Sequence, residues 1–195
     1  MCSFLSFCTC AAAEKCSCFV NSYFQKPITA AITWTAKSFY TSRGADSNTN
    51  GQMFTVKANI KPIKVASFDI IGKKDQSSQC MVFTKTGNYR GYERNGSTAI
   101  WKRVLNRQVR MSKNSPSNMG NLNSEVYIAA GSTQAFFIWC ESEMLYQRGG
   151  SQGSAFASDG SITVSQGVGV EELFRDVTDT AKFCGKIRCV LFCAN

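Results

Sequence analysis

From about residue 50 onward the apolar residues of this chain recur with a period of two, and that spacing selects extended strands over helices. Residues 53–58 alternate around Phe54, Val56 and Ala58. Over 63–71, Ile63 and Val65 occupy one parity, and Phe68 and Ile70 the other. A change of phase inside one strand predicts a β-bulge near Ala66-Ser67, because one extra residue returns the apolar set to the same face. Residues 79–85 follow, with Cys80 and Val82 opposed to Met81 and Phe83, and Lys85-Thr86-Gly87-Asn88 then reads as a turn.

Strand-compatible runs continue at 98–105 and 107–111, and the Asn/Ser/Gly/Pro-rich segment 114–123 reads as a loop. Segments 125–130 and 133–140 look like a hairpin around Ala130-Gly131-Ser132. In its second arm Ala135, Phe137 and Trp139 face one way while Phe136 and Ile138 face the other, which belongs in the middle of a packed structure. Short strands at 143–147, 154–157 and 162–165, an ambiguous run at 168–174 and a closing strand over 183–192 complete the series. About ten short strands, with turn signals about every 8–12 residues, predict an all-β domain. The expected architecture is an antiparallel two-sheet β-sandwich, jelly-roll-like, over 31–195, with 1–30 set apart as a Cys-rich leader or tail. A chain of 195 residues is long enough to bury such a core without staples.

The chain contains no histidine. This removes the usual general base near neutral pH and the commonest nitrogen ligand for metals, so Ser-His-Asp and Cys-His sites cannot be assembled from this chain alone. Gly149-Gly150-Ser151-Gln152-Gly153 has the G-x-S-x-G form of a nucleophile elbow, yet without a histidine and in turn-rich β surroundings it reads as a flexible loop. Glu141 and Glu143 are two apart and read as edge charges, since nothing nearby defines a cleft or a calcium loop. No catalytic residue, cofactor or metal is expected, and no apolar run is long enough for a transmembrane span.

Ten cysteines fall into three groups. Cys2, Cys8, Cys10, Cys16 and Cys18 crowd the amino terminus; the readings, in order, are a signal-like leader ending in Ala11-Ala12-Ala13, a palmitoylated anchor, and a thiolate site for zinc or copper(I). Cys80 and Cys140, alone in predicted strands, read as small buried hydrophobes. Cys184, Cys189 and Cys193 are the disulfide candidates, internally or back to the amino-terminal group.

The net charge of +9 is concentrated. Between 85 and 113 lie Lys85, Arg90, Arg94, Lys102, Arg103, Arg107, Arg110 and Lys113 against the single acid Glu93. Such a stretch attracts polyanions, although a pair of hairpins with solvated Lys and Arg on the outer face is the simpler account. Tyr89, Tyr92 and Trp101 lie among these cations, as stacking partners for a ligand or as core. The candidate binding residues are therefore Arg90, Arg94, Lys102, Arg103, Arg107 and Arg110 with Tyr89, Tyr92 and Trp101. Asn95-Gly96-Ser97 is a glycosylation sequon at Asn95 and also an Asn-Gly turn signal.

Several segments in order carry a resemblance: 51–58 (GQMFTVKA), 67–70 (SFDI), 82–93 (VFTKTGNYRGYE), Trp101, 128–137 (IAAGSTQAFF), 167–169 (GVG) and 183–188 (FCGKIR). Together they resemble a family of secreted or surface β-sandwich domains found in bacterial cell-surface proteins and in many diatom and other algal proteins. The resemblance implies a non-catalytic sandwich without a settled biochemical role. This chain is more basic than that pattern and carries extra cysteines at both ends. The expected function is adhesion or matrix interaction at the cell surface or outside the cell, with acidic polysaccharide or a protein as partner. An intracellular structural or self-assembling module is the alternative, and nucleic-acid binding through 85–113 the next.

Overall fold

The computed structural model describes residues 7–10, 16–19, 32–42 and 44–194. Its strands are β1 (Phe7–Cys10), β2 (Cys16–Phe19), β3 (Ile32–Tyr40), β4 (Ser47–Ala58), β5 (Ile63–Ile70), β6 (Gln76–Thr86) and β7 (Lys102–Met111). They continue with β8 (Ser117–Asn118), β9 (Val126–Ile128), β10 (Thr133–Arg148), β11 (Ala155–Ser158), β12 (Ile162–Glu172), β13 (Arg175–Phe183) and β14 (Gly185–Ala194). The chain divides into two units, one holding β1 and β2 with Trp34 and Phe192, the other running over 36–191. In the first, β1 and β2 pair antiparallel with Cys8 opposite Cys18 and Cys10 opposite Cys16. The remaining amino-terminal positions to which leader, anchor and metal readings apply lie outside the described residues.

The second unit is an antiparallel β-sandwich. A seven-stranded sheet contains β4, β6, β7, β10, β11, β12 and β13, and a five-stranded sheet contains β3, β14, β5, β8 and β9. The strands are more numerous, and several longer, than the alternation alone predicts: β10 runs for 16 residues and β4 for 12. The bulge expected near Ala66-Ser67 is present. Ser67 pairs with Arg188 and Val65 with Cys189, which leaves Ala66 as the extra residue and turns both Val65 and Phe68 inward.

Between the sheets lies the main core. Phe54, Val56, Val82, Phe136, Ile138 and Val164 come from the larger sheet, and Ile63, Val65, Phe68, Ile70 and Ile187 from the smaller. At its centre Phe54 stacks on Phe183 at 4.6 Å, and Phe68 meets Phe136 edge-on at 5.0 Å; such aromatic contacts add to the area term. The chain changes sheets between β13 and β14 with Cys184 alone as the link. Thr41 fastens that corner, its hydroxyl donating to the Phe183 carbonyl at 2.5 Å and accepting from the Gly185 N–H at 3.1 Å.

Three local expectations fail for tertiary reasons. The turn at Ala130-Gly131-Ser132 forms, with the Ser132 N–H donating to the Ala129 carbonyl at 3.0 Å. However, β9 pairs with β5 while β10 pairs with β4 and β6, so the two arms join different sheets and make no hairpin. Cys80 and Cys140 face each other directly across β6 and β10 and form a disulfide. They are buried, as expected of small hydrophobes, but bridged. By contrast Cys184 and Cys189, offered above as disulfide candidates, are unbridged and buried; Cys184 sits in the β13–β14 link and Cys189 on β14, and they do not meet each other. The side chain of Cys193 lies outside the described residues.

Candidate binding surfaces

Both faces of the larger sheet are apolar in its middle, so its outer face needs a cover. The segment 87–101 supplies it. Tyr89, Ile100 and Trp101 descend onto Met53, Ala135, Phe137 and Val168, and Phe174 closes the far side from the β12–β13 turn. Phe174 holds φ at 56°, an uncommon backbone state for a bulky residue; its ring lies 4.8 Å from Phe137 and 5.1 Å from Phe83. Gly96 passes directly over that ring, and a Cβ there would come within 2.7 Å of it.

Local hydrogen bonds fix the path of the cover. Asn88 accepts from the Arg90 N–H at 3.1 Å, an Asx turn, and the Tyr92 N–H donates to the Tyr89 carbonyl at 3.0 Å across Gly91. Gly91 has φ +80°, as the third position of a type II turn requires. The Trp101 indole donates to the Tyr92 carbonyl at 3.3 Å, and the Tyr89 hydroxyl to the Gln166 carbonyl at 3.2 Å. Burial pushes the Tyr89 hydroxyl above its usual range. The segment is thus neither a hairpin nor the start of a strand at 98. Neither Asn95 nor Gly96 has positive φ, so the Asn-Gly turn expected there does not form; Asn95 instead accepts from the Ser97 N–H at 3.2 Å and is exposed.

This geometry corrects the aromatic part of the predicted surface. Tyr89 and Trp101 are each 1% exposed and serve as core, so neither can stack on a ligand. Tyr92 remains at 39% exposure, with the Lys85 ammonium 4.3 Å above its ring.

The cations form two groups. Arg103 stands at the end of a row that crosses the sheet on its outer face through Phe83, Phe137, Met53, Val168 and Thr180. Five strand spacings separate its ends, about 24 Å. Lys102, Arg103, Arg107 and Arg110 belong to β7, the terminal strand on one side. Arg103 and Arg110 pair with Phe83 and Ser77 on the outer face. Lys102 and Arg107 pair with Thr84 and Cys80 on the inner side, where Arg107 lies over Gly120. All four are exposed, and none joins an ion pair among the described residues. Strand geometry spreads them over about 27 Å.

Arg90 and Arg94 sit toward the other side of the sheet. Arg90 donates to the Gln152 carbonyl and lies against Gly153, so the Gly-rich turn read as a flexible loop is held to the cover. Arg94 lines a cleft of about 440 Å³ with Gly91, Glu93, Gln152, Val168, Val177, Thr178 and Thr180. Gln152 donates to Glu93 at 3.4 Å. The sequence offers no signal for this cleft, since its walls come from three distant segments.

Elsewhere, Glu143 pairs with Lys73 at 2.7 Å but lies on β10, an interior strand of the larger sheet and not an edge, and Glu141 on the same strand is exposed. On the smaller sheet's outer face Asp69, 2% exposed, receives a two-point contact from Arg188 at 2.8 Å, with Lys186 at 3.3 Å and the Asn118 amide at 3.0 Å. The two segments SFDI and FCGKIR meet there. Burial raises the thiols of Cys184 and Cys189, the latter to about 11, so both stay protonated and unreactive near neutral pH. Among the described residues no group of three His, Cys, Asp or Glu side chains is placed to hold a metal, and no helix is long and apolar enough to cross a membrane. Comparison with protein-family models and with curated protein sequences gives no match.

Proposed function

We propose that the protein is a non-catalytic surface or extracellular module that binds acidic polysaccharide along β7. The observation that carries this reading is the run of four exposed cations on one terminal strand, none of them in an ion pair among the described residues. Charges on both sides of an extended edge present a linear array to a linear polyanion, and they oppose strand pairing with a second chain. That second property weighs against self-assembly through this edge. Polysaccharide is favoured over nucleic acid because the aromatics that would stack on bases are buried in the cover, leaving Tyr92 capped by Lys85. The Cys80–Cys140 disulfide supports an oxidising compartment, and the exposed Asn95 sequon is available for a glycan there.

The test is salt elution from immobilised heparin, comparing R103E/R110E, K102E/R107E and R94E with the unmodified protein. The two β7 variants should bind about tenfold more weakly or worse at low ionic strength, and R94E should elute close to the unmodified protein. An unchanged elution position for both β7 pairs would overturn the reading. Tighter binding to a single-stranded oligonucleotide than to heparin would replace polysaccharide by nucleic acid.

A further inference from the structure

We infer that the cleft between the 87–101 cover and strands β12 and β13 is a second binding site, one that holds a single neutral sugar residue. Its volume of about 440 Å³ falls within the usual range for small-ligand sites, about 300–1,000 Å³. The floor is apolar, from Val168 and Val177, and the walls carry one carboxylate, one guanidinium, one amide and the Thr180 hydroxyl. A pyranose matches that set. Its C–H face packs on the valines, while its hydroxyls donate to Glu93 and accept from Arg94 and Gln152, with either role open to Thr180.

Charge sets the class of sugar. β7 is purely cationic, but Glu93 and Arg94 balance here, so an acidic sugar would meet a carboxylate beside its guanidinium partner. The shape of this wall has a backbone origin. Val168 pairs with Thr180 and Val170 with Val177, so two residues of β13, Thr178 and Asp179, oppose the single Gly169. That bulge keeps Val177 and Thr180 both on the cleft side, while Thr178 lines the rim with its hydroxyl turned into the space a side chain at Gly169 would need, on the face away from Val168. The opposite wall is held by the Tyr89–Gln166, Arg90–Gln152 and Gln152–Glu93 hydrogen bonds, so the polar groups are positioned before any ligand arrives.

Methyl-detected NMR titration of the full chain tests this. The probes are methyl α-mannopyranoside, methyl β-galactopyranoside, methyl β-glucopyranoside and methyl N-acetyl-β-glucosaminide, with glucuronate as the charged comparator. At least one neutral glycoside should give saturable shifts of the Val168, Val177, Thr178 and Thr180 methyls. Glu93→Gln and Thr180→Val should each weaken that glycoside, the first by about tenfold, with the remaining methyl spectrum unchanged. R103E/R110E should leave the titration as it was while altering heparin elution, which separates this site from the β7 reading. The proposal falls if no neutral glycoside gives saturable cleft shifts with a dissociation constant below about 10 mM. Preference for glucuronate over every neutral probe overturns it equally.

Discussion

The two sheets treat their outer faces in opposite ways. The larger sheet is apolar on both sides, and its outer face is sealed by Tyr89, Trp101 and Phe174. The smaller sheet keeps polar groups outside and gathers them around one buried carboxylate, Asp69. Alternation of side chains is common to both. What differs is whether the outward parity is apolar, and that decides which sheet must recruit a loop as cover. Once recruited, the loop brings its own edges, and the cleft and its polar groups arise at one of them. The proposed cleft site, unlike the β7 array, is therefore a by-product of sealing that sheet.

The sharpest way to break this contrast is to remove the anchor of the cover. Trp101→Ala deletes a fully buried ring whose indole also holds the Tyr92 carbonyl, and a loss of about 3–5 kcal/mol is expected in urea unfolding. The methyls of Val168 and Val177 should shift with it. A loss under about 1 kcal/mol would show that the segment is an appendage and the outer face of the larger sheet is not a second core.

Much of this architecture is legible in period-two alternation. Several strands, the Ala66 bulge and the doubly apolar first half of β10 follow from which parity is apolar, whereas β3 and β13 do not. Partners are not legible. Nothing local to Ala130-Gly131-Ser132 says that the strands on either side enter different sheets. Cys80 and Cys140, 60 residues apart, become opposite only through the register of β6 on β10. The candidate surface splits for the same reason. Eight cations close in sequence read as one patch, yet the cover crosses the sheet and carries Arg90 and Arg94 away from β7. The aromatic residues among them look like ligand platforms until the apolar outer face beneath them is known.

The next effect in size also belongs to the larger sheet. Replacing Cys80 and Cys140 by Ala opens a bridge that closes a loop of sequence separation 60, and about 2–4 kcal/mol should be lost. Because the bridge ties β6 to β10, the stability of the outer cover should fall with the rest in a single transition. A separate early transition of Trp101 fluorescence would show that cover and sandwich unfold independently.

On the smaller sheet the corresponding cysteine is unpaired, and its effect depends on pH. Cys189 titrates near 11 in the fold against an ordinary 9.0, because burial disfavours the thiolate. A raised pKa contributes stability that is complete below the unfolded value and is lost as pH climbs through the folded one. Stability should therefore fall by about 2–3 kcal/mol between pH 9 and 11 on account of this group, and Cys189→Ala should flatten that part of the curve. If the variant and the parent lose stability in parallel over this window, the thiol is not desolvated as its position indicates.

The smallest effect tests the polar face itself. Asp69→Asn keeps the shape of the side chain but sets an amide N–H group against Arg188 or Lys186 and removes their shared counter-charge. Arg188 is partly hydrated, with its side chain 41% exposed, so the cost should sit near about 1–2 kcal/mol and below the value for a fully buried pair. Replacing the whole set, as Asp69→Leu with Lys186→Met and Arg188→Met, removes the charges together and should return stability to within about 1 kcal/mol of the parent. A triple variant as unstable as Asp69→Asn, or less stable, would mean that this face depends on its charges as the larger sheet depends on its aromatic cover. Recovery in the triple variant would show that the charge cluster of the smaller sheet can be replaced by apolar packing, in contrast to the larger sheet, whose outer face depends on its aromatic cover.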